Sequence, residues 1–361
     1  MRVAVIGAGA GGAAAVAELV QVGHHVTLWN RSAQTLAPFI EQGGVAYEGV
    51  LGEGFARPAL ITAELQQAIR RAEVALVCLP TISHVAVARA LAEVGAHTTP
   101  VILNPGHTGG ALEFHEAYRR ASGGPVPPIA EFHTLTYIAR KYAPGKVTVS
   151  GKGKFLRLGA LPGGGAAAAM AKSLYPASVQ VPDVLNSSLA NLNMTLHAPG
   201  CVLGAVWIEA TRGDYTFYVQ GMTPGSVRVM HALDAERLAV AKAFGHELLP
   251  LGAEMQRYGT VEASVRDTSD LVAAISSGEA NKRLRAPDSL THRYYPEDFG
   301  HGLVPFIALA RAAGVEVPTA DALLELGATL TGIDFRARGR TAESMGITGL
   351  DRDQLLERVR G

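Results

Sequence analysis

The first thirty residues, MRVAVIGAGAGGAAAVAELVQVGHHVTLWN, constrain the fold of this chain more than any other stretch. A short β-branched run, Arg2 to Ile6, turns into Gly7, Gly9 and Gly12 in a G-x-G-x-x-G pattern. An Ala-rich helical segment follows, and Val26 to Trp29 reads as a second buried strand. In such a unit Gly7 permits the tight turn, Gly9 lets a pyrophosphate approach the backbone, and Gly12 lets the helix pack on the strand. The amides at the helix start then face the anion. Glycine triplets arise by chance in a chain with 41 glycines. Strand before, helix after and second strand at the right distance argue against chance and for a bound dinucleotide.

The end of the second strand bears on which dinucleotide. An Asp or Glu about 20 residues past the glycines would hold the ribose hydroxyls of NAD. Here the chain has Asn30, then Arg31 and Ser32. No carboxylate repels a 2′-phosphate, Arg31 offers a planar fork of donors, and Asn30 and Ser32 can add hydrogen bonds. The pattern points to NADP(H), with NAD(H) as the second choice.

Further strand-to-helix turns continue the theme. Glu73 to Leu79 is a buried strand ending at Pro80, with a helix directly behind it. Ligands of open parallel sheets lie beyond the carboxyl ends of the strands, so Leu79, Pro80, Thr81 and His84 are expected at the cofactor site. For His84 a place on the helix surface is the plainer alternative. Val101 to Leu103 ends in a Gly-rich turn that offers Asn104 and Gly106 to a ligand. Val45 to Val50 is a further strand; Ile129 to Phe132, Lys146 to Ser150 and Phe155 to Gly159 are expected to extend the sheet.

Near Pro176 to Pro182 the alternation of strand and helix stops. Helical periodicity then dominates over Val184 to Trp207, Ser226 to Tyr258, Glu262 to Ser276, Gly302 to Ala313 and Thr319 to Leu330. The expectation is an α/β chain: a Rossmann-type dinucleotide-binding domain over 1–181 followed by an all-helical substrate-binding and catalytic domain over 182–361, with a substrate cleft between them. At 361 residues and 48% hydrophobic composition there is enough apolar sequence for two cores. Lys plus Arg and Asp plus Glu balance at 32 each, so charge recommends neither nucleic acid nor an anionic membrane as partner. Cys78 and Cys201 are too few and too far apart for a disulfide framework or a zinc site. No leader and no membrane-spanning stretch is read from the sequence, so the expectation is a soluble, cytoplasmic protein, and the apolar helical part predicts a homodimer.

Within DVLNSSLANLNMTLHAPGCVLGAVW, where Asp183 is a plausible cap, Asn186, Ala190, Asn193, His197, Cys201 and Gly204 recur at spacings of four and three. If the helix is continuous they share one small, polar face, kinked by Pro199. An interior, hydrogen-bonded histidine would be the bland reading of His197. Against it stands a second constellation, THRYYPEDFGHGLVPF, with Arg293 as a carboxylate-binding fork and Asp298 as a partner for the ring. A histidine paired with a carboxylate can give and take protons near neutral pH.

These segments resemble the opine dehydrogenases of the octopine and nopaline type. GAGAGG, the Leu79–Pro80 pair, LNPGHTGGALEF, NSSLANLNMTLHAPG, DAERLAVAKAFG, HRYYPEDFGHGLVP and DFRARGRT carry the resemblance along nearly the whole chain. It implies that His197 and Asp298 form the catalytic dyad and that Arg293 anchors a substrate carboxylate. Asn30 departs from relatives with an acidic residue there, which puts NAD use in doubt. The implied reaction condenses an α-keto acid with the amine of an amino acid through an imine, which a nicotinamide cofactor reduces. Asn193, Thr134 and Tyr137 are assigned to substrate, and Arg140 is placed near them. Rival readings are a 2-hydroxyacid or ketopantoate-type reductase, an imine reductase and a non-catalytic NADP(H) sensor. Many such reductases use a lysine on the interdomain helix, and no lysine occurs between Lys172 and Lys242.

Overall fold

A computed structural model describes all 361 residues. The chain divides into two compact units. The first comprises residues 1–106 and 110–184, the second residues 107–109 and 185–361.

The first unit opens with β1 (Arg2–Ile6), α1 (Ala10–Gln21), β2 (His25–Trp29), α2 (Ala33–Gln42), β3 (Val45–Gly49), β4 (Gly54–Ala56), β5 (Leu60–Thr62) and α3 (Leu65–Ile69). It continues with β6 (Val74–Val77), α4 (His84–Glu93), β7 (Val101–Leu103), α5 (Gly110–Ser122), β8 (Ile129–Phe132), β9 (Tyr137–Ala143), β10 (Lys146–Lys152), β11 (Leu156–Ala160), α6 (Gly165–Leu174) and β12 (Ser178–Gln180). Eight strands form one sheet in the order β12-β11-β8-β7-β6-β1-β2-β5. Its pairings are parallel except β8 with β11. The central strands β1, β6 and β7 are fully or almost fully buried, as continuous apolar runs in a covered parallel sheet should be.

One expectation about the sheet needs correction. Ile129 to Phe132 and Phe155 to Gly159 do extend it, but the strand at Lys146 belongs to a separate four-stranded sheet, β4-β3-β10-β9. There β10 pairs in parallel with β3, a hundred residues earlier. Helix α1 touches β1 and β2 on one side and β3, β9 and β10 on the other. Covered by both sheets, it buries Gly12, the run Ala13 to Ala17 and Leu19, which explains why its residues are small.

In the second unit α7 (Val184–Leu189) is followed by α8 (Asn193–Leu203), α9 (Ala205–Thr211), α10 (Pro224–Ala243), α11 (Leu251–Tyr258) and α12 (Leu271–Ser277). A π-helix, Tyr295–Leu303, then runs directly into α13 (Val304–Ala313), before α14 (Pro318–Thr331), α15 (Phe335–Arg338) and α16 (Arg352–Arg360). The expected helix from Val184 to Trp207 is therefore three helices. The first break falls at Asn191, whose side-chain Oδ1 accepts the Asn193 amide and whose Nδ2 donates to the Thr108 hydroxyl. Helix α8, in contrast, runs on through Pro199. The helix expected over Glu262 to Ser276 starts only at Leu271, because Gln256 holds the carbonyls of Glu262 and Val265 in an irregular stretch.

A wholly buried cation organises this unit. Arg237 donates to Asp234 at 2.7 Å and to the carbonyls of Leu189 and Leu249, and Asp234 in turn accepts the Leu251 amide. One guanidinium thus ties α10 to the end of α7 and the start of α11, and its pairing satisfies what burial would otherwise leave costly. Residues 107–109 are built into the same unit. The Gly109 amide donates to Ser188, and the buried Arg340 donates to the Thr108 carbonyl at 2.6 Å. No helix of the chain is long and apolar enough to cross a membrane.

Candidate active site

In the first unit the glycine loop joins β1 to α1. Gly7 has φ +120°, and a Cβ there would lie 2.7 Å from the Cys78 carbonyl and 2.8 Å from Leu79. A Cβ on Gly12 would come within 1.7 Å of the Gly7 oxygen. Gly9, the helix cap, has nothing within 4 Å of its Cβ position. Two glycines are thus demanded by the fold, and the third leaves open space in front of the first α1 amides, as a pyrophosphate requires. The loop fits a dinucleotide.

Asn30 and Ser32 have local duties. Asn30 Oδ1 accepts the Ala8 amide and its Nδ2 donates to the Ser32 carbonyl, while the Ser32 hydroxyl caps α2 by accepting the Thr35 amide. Arg31, between them, is exposed. Leu79 packs on Gly7, and Pro80 is exposed just beyond it. Thr81 and His84 are buried, and His84 sits edge-on to Phe114 in the core rather than on the helix surface.

Several residues singled out as ligand contacts make hydrogen bonds or packing contacts within the first unit. Asn104, joined to Pro105 by a cis peptide, is fully buried, and its Oδ1 accepts from both the amide and the hydroxyl of Thr136. Gly106 lies against Glu131, a buried carboxylate that accepts the Ala111 amide at the start of α5. Tyr137, assigned to substrate, has its hydroxyl within 2.7 Å of Glu18 and 3.1 Å of Tyr175, which braces β9 on α1. Arg140 donates to the Ala139 carbonyl from the separate sheet, and Thr134 is half-buried in the bend after β8.

The second unit gathers the titrating groups. Helix α8 presents His197 and the π-helix presents Asp298. Their side chains meet at 2.7 Å, Nδ1 to Oδ2, at 6% and 2% exposure. A π-helix is rare and recurs at functional sites. Tyr294 stacks on the imidazole, centroids 3.8 Å apart and planes 8° from parallel, and Phe217 stands at its edge. The Tyr218 hydroxyl lies 2.6 Å from His197 Nε2. Arg293 is exposed, its guanidinium 5.8 Å from the Tyr294 ring and 3.6 Å from Glu297. Burial pushes the Glu297 carboxyl up to about 7, with Asp298 adding to the rise and Arg293 opposing it.

Two members of this cluster lie outside the sequence reading, Tyr218 and His107. His107 is buried with φ +61°, a conformation that costs a non-glycine residue energy. Its Nε2 lies 3.3 Å from Asn193 Nδ2. Burial pushes its imidazole down to about 4, against the pull of Asp298. Asn193 opens α8, but Asn186 lies on α7, so the polar face expected to join them is interrupted.

Comparison with known proteins separates this arrangement from its rivals. Residues 180–331 match the NAD/NADP octopine/nopaline dehydrogenase alpha-helical domain, and residues 3–162 match ketopantoate reductase PanE/ApbA. The opine dehydrogenase of Arthrobacter sp. (strain 1C) is 35% identical over 351 residues, covering 96% of this chain and 95% of that protein. The chain belongs to the opine dehydrogenase family. It is an NAD(P)-dependent oxidoreductase acting on CH–NH groups. Vitopine synthase of Allorhizobium ampelinum is 23% identical over about half of each chain, 53% and 52%. Among solved structures, octopine dehydrogenase in complex with NADH and agmatine superposes with a TM-score of 0.80 at 20% identity, over 99% of this chain and 98% of that one. Yersinopine dehydrogenase with NADP+ bound gives 0.75 at 16%, over 100% and 98%. At these identities the structural likeness speaks for the fold.

Proposed function

We propose that this opine dehydrogenase homologue joins an α-keto acid to the amine of an amino acid, or to another amine, through an imine that it reduces with NADPH. The reverse oxidation follows the same path. The observation that carries the reading is the buried His197–Asp298 pair at 2.7 Å, in the helical unit that matches the octopine/nopaline dehydrogenases. Solved relatives bear NADH with L-arginine and NADH with pyruvate, the same two substrate classes.

Gly7, Gly9 and Gly12 hold the pyrophosphate, and Arg31 takes the 2′-phosphate, while Asn30 and Ser32 keep the loop and α2 in place. The reduced nicotinamide supplies the hydride. Arg293 holds a substrate carboxylate by a bidentate contact, fixing the attack geometry. Asp298 fixes the His197 tautomer with the proton on Nδ1 and stabilises the imidazolium when Nε2 takes up a proton. His107, neutral at physiological pH, and Asn193 add uncharged hydrogen-bonding groups to the cluster. The protein acts in the cytoplasm as a homodimer. A ketopantoate-type reduction is the second reading, favoured by the match over residues 3–162. That match covers the nucleotide-binding part, which both enzyme types share.

The test follows oxidation of NADPH and of NADH with pyruvate and a panel of amino acids, each component omitted in turn, in wild type and His197→Ala. Turnover that needs both organic substrates, prefers NADPH and is lost in the variant is the expected result. Turnover with the keto acid alone would replace imine reduction by carbonyl reduction.

A further inference from the structure

We propose that Tyr218 is a catalytic residue: its hydroxyl is the group through which His197 exchanges protons with the substrate, in an Asp298–His197–Tyr218 relay. The inference rests on the condensation reading above and names the atom that does its acid–base work.

Both nitrogens of the His197 ring are engaged. Nδ1 faces Asp298 Oδ2 at 2.7 Å, and a carboxylate at that distance keeps the proton on Nδ1. Nε2 then carries a lone pair, and it accepts from the Tyr218 hydroxyl at 2.6 Å. Tyr294 covers a face of the ring at 3.8 Å, and Phe217 stands at its edge with centroids 6.0 Å apart. A substrate atom therefore meets neither nitrogen without displacing a partner. Of the two partners, Asp298 is an acceptor only, as a carboxylate. A phenol can accept a proton on oxygen while handing its own to Nε2. The Tyr218 ring is held perpendicular to Phe217 at 5.2 Å, so the hydroxyl is positioned before substrate arrives.

The proton balance closes. An amino acid enters as an ammonium ion, whose nitrogen gives one proton to the Tyr218 oxygen as the phenolic proton passes to Nε2. His197 is now an imidazolium facing the Asp298 carboxylate. The freed amine attacks the keto carbon, a C–N bond forms, and the carbonyl becomes a hydroxyl as a nitrogen-bound proton moves to its oxygen. The imidazolium then returns its proton to the Tyr218 oxygen, whose own proton goes to that hydroxyl. The C–O bond breaks, water leaves, and a protonated imine remains to take the hydride from the reduced nicotinamide. Ammonium and carbonyl have become iminium and water, and the relay stands as it began.

The decisive experiment uses the full-length protein with two substitutions at 218, Tyr218→Phe and site-specific incorporation of 3-fluorotyrosine. Tyr218→Phe keeps the ring and its contacts. It should bind NADPH with an unchanged Kd by nucleotide fluorescence and lose about 10²–10⁴-fold in kcat with little change in KM. 3-Fluorotyrosine keeps the hydroxyl but makes it more acidic, so activity persists and the alkaline limb of the kcat–pH profile moves to lower pH. If Tyr218→Phe folds poorly, the fluorotyrosine profile alone decides. Wild-type kcat in Tyr218→Phe, or a fluorotyrosine profile that coincides with wild type, overturns the relay and leaves the condensation reading intact. If the wild type instead reduces the keto acid without amine, the condensation reading falls. The same two variants are then read on carbonyl reduction, where a loss in Tyr218→Phe upholds the relay.

Discussion

Replacing Glu297 by Gln should alter stability in a way that depends on pH, and the structure sets both sign and size. In the native state burial holds this carboxyl near 7 against an ordinary 4.5. Below 4.5 it is protonated whether the chain is folded or not. Between 4.5 and 7 the unfolded chain releases a proton that the native state retains, so stability falls as pH rises through this window. At roughly 1.4 kcal/mol per pH unit the loss reaches about 3 kcal/mol, and it stays constant above 7. Gln keeps the shape and cannot ionise. Any pH-independent cost of the buried amide displaces the whole difference curve and leaves its slope. The stability of Glu297→Gln relative to wild type should therefore grow by about 3 kcal/mol between pH 4 and pH 8, or roughly 4 °C in the melting midpoint of a chain of 361 residues. Circular dichroism melts of both proteins across that range test it. A difference curve without slope would refute the reasoning, because it would mean that Glu297 stays ionised in the fold and that Arg293 outweighs its burial.

His107 has the opposite sign. Its folded value near 4 lies below the ordinary 6.5, so its contribution is full above 6.5 and is lost as pH falls toward 4. His107→Asn, which tolerates the positive φ, should lose less stability than wild type in that window, by about 3 kcal/mol. In wild type the two groups oppose one another between 4.5 and 6.5, and only the single variants reveal each slope. At the glycine loop, Gly12→Ala forces a methyl to 1.7 Å from the Gly7 oxygen and should cost at least about 3 kcal/mol. Gly9→Ala meets nothing within 4 Å; it should melt as wild type yet bind NADPH more weakly by fluorescence titration. Equal melting of the two variants would show that the loop is not packed as described.

The glycine loop was legible in the sequence because strand, turn and helix lie within thirty residues and each glycine answers a local demand. The partnership of His197 with Asp298 was not legible from spacing. The residues are 101 apart; the downstream segment THRYYPEDFGHGLVPF offered Asp298 as a partner for the ring, and the resemblance made the two a dyad. Tyr218 falls between α9 and α10, where there is no periodicity to mark a face. His107 sits in a Pro-Gly turn that reads as ordinary loop chemistry, and its backbone angle was the missing clue. Pairing partners were equally hidden: β10 has the pattern of any short strand, and nothing in it announces a parallel partner a hundred residues upstream. The break at Asn191 interrupts an unbroken helical pattern, because its side chain serves the Asn193 amide and the distant Thr108 instead.

Residues 107–109 carry a consequence for how such chains diversify. They are encoded amid the nucleotide-binding sequence, yet they supply the acceptor for the buried Arg340 and the amide for Ser188. Recombination that joined a foreign cofactor-binding segment at residue 184 would bring a foreign tripeptide with it. Arg340, Ser188 and Asn191 would then face neighbours they had not co-adapted with. The helical unit is therefore inherited in two pieces, and a functional chimera between relatives must exchange both.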